Sequence, residues 1–233
     1  MSTDDAHYFR HRQVCAHAYE HYLLPFYLAR RLPENKDACI LDFGCGFGQF
    51  VRALAQRGYE KAVGYDIEPS AIAFCRDQGV PVIDGMHMPL DELSDQYDFI
   101  YSSHVIEHIP KDAVIDILRS LRQRLKAGGT LLVCVPNAQS NTGCYWAYED
   151  FTHYTAYTSG SLYYVLSKAG FHTIDFVDTD CTEGMSVMRR TIKRALLSIY
   201  RAKYRFWNRV TNSATHVPSP DIFSYEIKAT ARG

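Results

Sequence analysis

Apolar and polar positions along this chain of 233 residues follow two rhythms that take turns. Short apolar or alternating runs at 38–43, 61–66, 80–83, 97–101, 130–135, 171–177 and 222–230 predict seven strands. Between them, apolar residues three and four apart predict helices at 48–57, 69–78, 161–169 and 185–210, and a leading helical segment at 7–32. Pro69 opens one helix. Pro110 stands at the first position of another, whose apolar stripe is Val114, Ile117, Leu118, Leu121 and Leu125, with Gly128 and Gly129 as its stop. The run at 130–135 has no polar alternation, as expected of a strand covered on both faces. Strands alternating with helices predict an α/β fold around a mostly parallel sheet. The stretch 136–158, rich in Asn, Gly, Tyr and Trp, reads as a loop. No repeat or low-complexity linker interrupts the chain. A single domain over 1–233 is expected, with a helical segment at 1–37, a core at 38–178, a helical insertion at 179–220 and a final strand at 221–233.

Composition narrows the class. Apolar residues at 47% and charged residues at 22% are ordinary globular values and exclude a disordered or fibrous chain. With 25 Lys and Arg against 26 Asp and Glu, the net charge of −1 gives no overall drive toward nucleic acid. The average conceals an asymmetry: 185–220 holds eight Lys or Arg and no acid. Seven cysteines form an odd set without a C-x-x-C pair, which argues against a disulfide framework or zinc ribbon and for a reducing compartment. The polar, acidic first residues do not read as a signal peptide, and no apolar run approaches about 20 residues. A cytoplasmic location is expected.

The densest local signal is Asp42-Phe43-Gly44-Cys45-Gly46-Phe47-Gly48, where a strand runs into a glycine loop and then a helix. Alternate glycines let the backbone turn sharply and approach a ligand without Cβ clashes. Asp42, just before them, is badly placed for a pyrophosphate but well placed for a cationic ligand. Asp66, at the end of the second strand, suits a pair of ribose hydroxyls. A nicotinamide-dinucleotide enzyme fits less well, because Gly48 follows Gly46 by two residues where that pattern needs three.

Over 38–178 these motifs, in order, resemble the class I S-adenosylmethionine-dependent methyltransferases, which implies a Rossmann-like seven-stranded sheet and S-adenosylmethionine as cofactor. By that resemblance Asp42, Gly44, Cys45, Gly46 and Gly48 form the cofactor loop, and Asp66 with Ile67 holds the ribose. Asp84-Gly85-Met86 lies where the family contacts adenine, and Ser103, His104 and Glu107 line the cofactor beyond the fourth strand. Lys126-Ala127-Gly128-Gly129-Thr130 resembles the turn into the fifth strand.

The acceptor is read by elimination. Ser102-Ser103-His104 replaces the Asn/Asp-Pro-Pro-aromatic tetrapeptide of amide-nitrogen methyltransferases, and no cysteine has a nucleophile's pairing. An oxygen acceptor remains, and a hydroxyl must lose its proton as the methyl arrives, a task suited to histidine. His153, or failing it His108, is the expected base, with Asp150 beside them. No metal motif is present, and no metal is expected.

The stretch Asp150-Phe151-Thr152-His153 and the helix after it look like methyltransferases of bacterial surface-glycan and lipopolysaccharide assembly. That resemblance implies a sugar hydroxyl as acceptor, anionic or lipid-linked. The alternatives are a phenol or quinone-precursor O-methyltransferase and a non-catalytic binding protein that keeps the fold. The basic, amphipathic 185–210 suits either a peripheral membrane contact or a homodimer partner. Aromatic residues through 136–164 suit a wall against which a sugar stacks.

Overall fold

A computed structural model describes residues 22–214 and 220–233. Within them the elements run α1 (Phe26–Ala29), β1 (Ile40–Phe43), α2 (Gln49–Ala55), β2 (Ala62–Asp66), α3 (Pro69–Asp77), β3 (Val82–Asp84), β4 (Tyr97–Ser103), α4 (Val114–Gln123), β5 (Leu125–Pro136), α5 (Gly143–Glu149), α6 (Ser159–Lys168), β6 (Thr173–Phe176), α7 (Val187–Val210) and β7 (Glu226–Arg232). The expected helix at 7–32 lies largely outside the described residues; inside them only α1 is helical. The strands form one sheet in the order β3-β2-β1-β4-β5-β7-β6. β1 to β5 pair in parallel, and β7 runs antiparallel between β5 and β6.

The strands read as continuous apolar runs because both sheet faces are covered. Successive side chains point to opposite faces, so Leu41, Ile100, Leu131 and Val133 pack on one side with Leu118 and Leu121 of α4 and Leu162 and Leu166 of α6. Ile40, Phe99 and Leu132 pack on the other with Phe50, Val51 and Leu54 of α2. The order reverses between β1 and β4, and in an open α/β sheet ligands bind beyond the carboxyl ends of the strands at that point.

Several boundaries differ from the sequence reading. Pro110 does not open α4: its carbonyl accepts from Ala113 and Val114 in a turn that precedes the helix. Leu125 lies beyond the helix, paired with Tyr97 at the start of β5, and the glycines do not stop α4 but sit inside β5. There the register jumps, with Thr130 opposite Phe99, and Gly128 supplies the left-handed turn at φ +79°. The segment 143–149, expected as loop, forms α5. The last strand starts at Glu226, four residues later than expected, because Ile222 is held in the preceding loop, where its carbonyl accepts from Asn137.

Candidate active site

β1 and β2 deliver two carboxylates to the glycine loop. Gly44, Gly46 and Gly48 all have positive φ, the left-handed region that an L side chain enters at a cost. Packing demands glycine as well: a Cβ on Gly44 would fall 2.2 Å from Val105 Cγ2. Asp42 and Asp66 are buried. Asp66 accepts the backbone amides of Gly46 (2.7 Å) and Glu68 (2.9 Å), which tie the loop to the end of β2. Burial, then the neighbouring charge of Asp66, pushes the Asp42 carboxyl well above the usual carboxylate range. Burial also raises Asp66, against the amide bonds that lower it. Among the described residues no Lys or Arg forms an ion pair with either acid.

The other expected cofactor residues divide. Ile67 and Met86 are exposed at the ends of β2 and β3. Gly85 packs against the Tyr65 ring, which a Cβ would strike at 2.6 Å. Asp84 is engaged by Arg76 (3.3 Å) and His87 (3.1 Å). Its partial burial opposes charge, but His87, the Met86 amide and Arg76 together hold Asp84 below the usual range. The thiol of Cys45 packs against Gly64, and its amide donates to the Tyr65 carbonyl. Ser103 pairs with Cys134 across β4 and β5.

His104 has φ +56°, an uncommon conformation for a residue with a side chain. It turns the imidazole between two acids, with Nδ1 3.3 Å from Glu107 Oε1 and Nε2 2.9 Å from Glu226 Oε1. Burial works against charge on this ring, yet hydrogen bonds to Cys134, Glu107 and Glu226 hold its pKa well above the ordinary imidazole range. Lys228 extends the network, 3.6 Å from Glu226 Oε2 and 3.4 Å from Asp178 Oδ2. Sequence reasoning missed Glu226 and Lys228; a buried strand carrying two charges was their signal.

The expected catalytic residues converge. The 3₁₀ turn Ile106–His108 follows β4, and the Glu107 carbonyl accepts from Tyr154, so the loop after α5 is pinned to it. The rings of His108 and His153 meet edge to face, centroids 4.5 Å apart. His153 Nδ1 lies 2.8 Å from the Trp146 carbonyl, so it carries the proton, and Nε2 sits 3.8 Å from Asp150 Oδ2. His108 Nδ1 lies 2.8 Å from Thr152 Oγ1, whose hydroxyl donates to Asp150 Oδ1 at 2.6 Å. That chain puts the proton of neutral His108 on Nδ1 and leaves Nε2 as its basic nitrogen. Burial lowers the His108 pKa, with His153 adding to the effect and Glu107 and Asp150 opposing it. Thr152, missed at the sequence level, is the link.

Glu107 is fully buried, with His104 Nδ1 3.3 Å from its Oε1. One donor atom each from Glu107, His108 and His153 lies within 4.8 Å of the others, as does one each from His104, Cys134 and Glu226. By donor type either trio suits a divalent ion.

The fold is that of the S-adenosylmethionine-dependent methyltransferases. A structure of such an enzyme from Archaeoglobus fulgidus superposes over 100% of both chains with a TM-score of 0.65 at 20% identity. Phosphoethanolamine N-methyltransferase 2 from Haemonchus contortus superposes on 100% of this chain and 60% of its own, with a TM-score of 0.61 at 16% identity. The methyltransferase-domain family profile matches residues 8–175, more than half of the chain, and the chain belongs to that family. Among individual relatives, a tRNA U34 carboxymethyltransferase from Shewanella baltica is 27% identical over 79% of this chain. A trans-aconitate 2-methyltransferase from Deinococcus radiodurans is 32% identical over 45% of it. The matches span only 58% and 40% of those two relatives.

Proposed function

We propose that the protein transfers a methyl group from S-adenosylmethionine to a hydroxyl, most favourably on a sugar of a bacterial surface glycan carried on a lipid. The residues around the glycine loop suit that cofactor. Two buried carboxylates without a cationic partner among the described residues answer a ligand with a positive tail and ribose hydroxyls. When bound, the cofactor supplies a methyl group on a positively charged sulfur.

The observation that carries the oxygen acceptor is the chain Asp150–Thr152–His108. A hydroxyl becomes a good nucleophile only as its proton leaves, and with Nδ1 protonated the lone pair of His108 that can take it is on Nε2. Its proton on Nδ1 stays anchored to Thr152 and thence to Asp150. As the O–H bond breaks toward His108, the C–O bond forms, the C–S bond breaks and its electron pair returns to sulfur as a neutral thioether. His153, the first choice from sequence, faces Asp150 and packs against His108; we assign it to positioning. A carboxylate acceptor, as in the trans-aconitate enzyme's name, is already ionised and needs no such base. The sugar reading is supported by Tyr145, Tyr148, Phe151 and Tyr154, all exposed on α5 and the loop carrying His153. A phenol would use the same base and is separated from a sugar by the product.

The test is calorimetry with S-adenosylhomocysteine followed by mass spectrometry on acceptor panels. Binding, its loss in Asp66→Asn with an unchanged circular dichroism spectrum, and one added methyl on a sugar hydroxyl are the expected results. Absence of binding overturns the cofactor assignment. A methyl found only on a phenol or carboxylate overturns the acceptor.

A further inference from the structure

Helix α7 is mounted inside out. At 3.6 residues per turn, Met188, Ile192, Leu196, Ile199, Phe206 and Val210 fall within about 80° of one another. On an ordinary surface helix such a stripe faces the core; here all six are more than half exposed, and no residue of the helix is buried.

Its polar side makes the attachment. Lys193 donates to the Cys181 carbonyl at 2.8 Å, Arg201 meets Asp180 at 2.8 Å and Arg205 meets Asp221 at 3.3 Å. Tyr200 donates to Asn141 Oδ1 at 2.6 Å, and Tyr200 and Tyr204 pack edge to face on Phe223. These tethers lie roughly opposite the stripe. Arg189, Lys203 and Arg209 flank the apolar side instead, and among the described residues they form no ion pair.

We infer that the outer face of α7 docks on an anionic membrane surface, the apolar stripe entering the headgroup boundary and Arg189, Lys203 and Arg209 meeting lipid phosphates. Charge decides the occupant. A second copy would bring the Arg189, Lys203 and Arg209 that flank one stripe against the same three of the other, with no acid on either helix to answer them, at a repulsive cost. RNA would meet a face that is mainly aliphatic. An anionic bilayer satisfies both the stripe and its flanking charges. About 36 Å of helix lies along that surface, since 24 residues rise 1.5 Å each. No helix among the described residues is long and apolar enough to cross a membrane, so the contact is peripheral. The inference deepens the proposed function by naming where a lipid-linked acceptor is met, and rests on it for that purpose only, since vesicle binding is read without methyl transfer.

The experiment is flotation of the full chain with phosphatidylglycerol vesicles, phosphatidylcholine vesicles as comparison, and S-adenosylhomocysteine calorimetry on the same samples. Binding to phosphatidylglycerol alone is expected, weakening as salt rises. Arg189→Gln/Lys203→Gln/Arg209→Gln should weaken it about a hundredfold, and Leu196→Asp/Phe206→Asp should abolish it, with calorimetry unchanged in both. No vesicle binding by the wild type, or equal binding to both lipids, overturns the inference. So does a dimer in light scattering that only Leu196→Asp/Phe206→Asp breaks, or RNA binding in place of vesicle binding. Failure of the calorimetry with vesicle binding intact would overturn the cofactor reading and leave the membrane contact standing.

Discussion

The two groups of acids at the carboxyl edge of the sheet are held in opposite ways. Asp42 and Asp66, at the ends of β1 and β2, are buried with backbone amides and each other for company, and burial pushes both pKa values up. Glu107, Asp150 and Glu226, beyond β4 and β5 and at the start of β7, each lie within 4 Å of a histidine nitrogen. Among the described residues the first arrangement offers those acids no Lys or Arg ion pair, so a bound cation can supply the missing partner. The second keeps acids and bases in contact, so a proton has somewhere to go. One half of the site is built to bind charge and the other to move it, and they touch where Val105 packs on Gly44.

The largest effect should come from the proton-moving half. His108→Ala is expected to lower kcat by about 10²–10⁴-fold, some 3–5 kcal/mol of barrier, with S-adenosylhomocysteine affinity kept. His153→Ala should cost less, near tenfold, because the ring positions His108. A reversed ranking returns the base to His153. Because the His108 pKa is lowered and the base must be neutral, the acid limb of kcat/KM should fall below the ordinary histidine value of about 6.5. A limb above that value contradicts the assignment.

Next comes the seam between the halves. Gly44→Ala combines a left-handed φ with a collision against Val105, and should destabilise the fold by roughly 1–3 kcal/mol in denaturant melts. Adding Val105→Ala should recover part of that loss, leaving the backbone strain. Equal losses in the single and double variants would show that the two halves do not press on each other there.

The cofactor half was the more legible in sequence because its demands fall on the backbone. A turn with φ +79°, +52° and +71° at Gly44, Gly46 and Gly48 leaves glycine as its mark, and strands covered on both faces leave unbroken apolar runs. The proton-moving half depends on long-range side-chain pairings, which have no period. His108, His153 and Asp150 could be named as candidates, but not the Thr152 hydroxyl that joins His108 to Asp150. Glu226 and Lys228 sat within an alternating strand whose start was read too early, at Ile222. α5 escaped because it is seven residues long and Thr142 makes no side-chain cap. The outward stripe of α7 was visible as amphipathicity, but the direction it faces was not, since Asp180, Asp221 and Phe223 decide it from other parts of the chain.

The smallest effect tests whether the binding half is held in readiness at the fold's expense. Asp42 takes up a proton at higher pH in the folded protein than in the unfolded chain, where a carboxyl titrates near 4. Its contribution to stability is therefore fully present below about pH 4 and lost as pH rises through the raised folded value. Above that raised value the ionised, buried side chain works against folding. Asp42→Asn removes that charge at nearly constant volume, and should raise stability by roughly 0.5–2 kcal/mol at pH 8, with the gain shrinking toward pH 4.5 and cofactor affinity lost at both. Denaturant melts at the two pH values, paired with calorimetry, read both halves of the trade. If Asn at this position is less stable at pH 8 than the wild type, Asp42 already has a cationic partner in the folded protein, and the contrast between waiting charge and moving proton fails at its first residue.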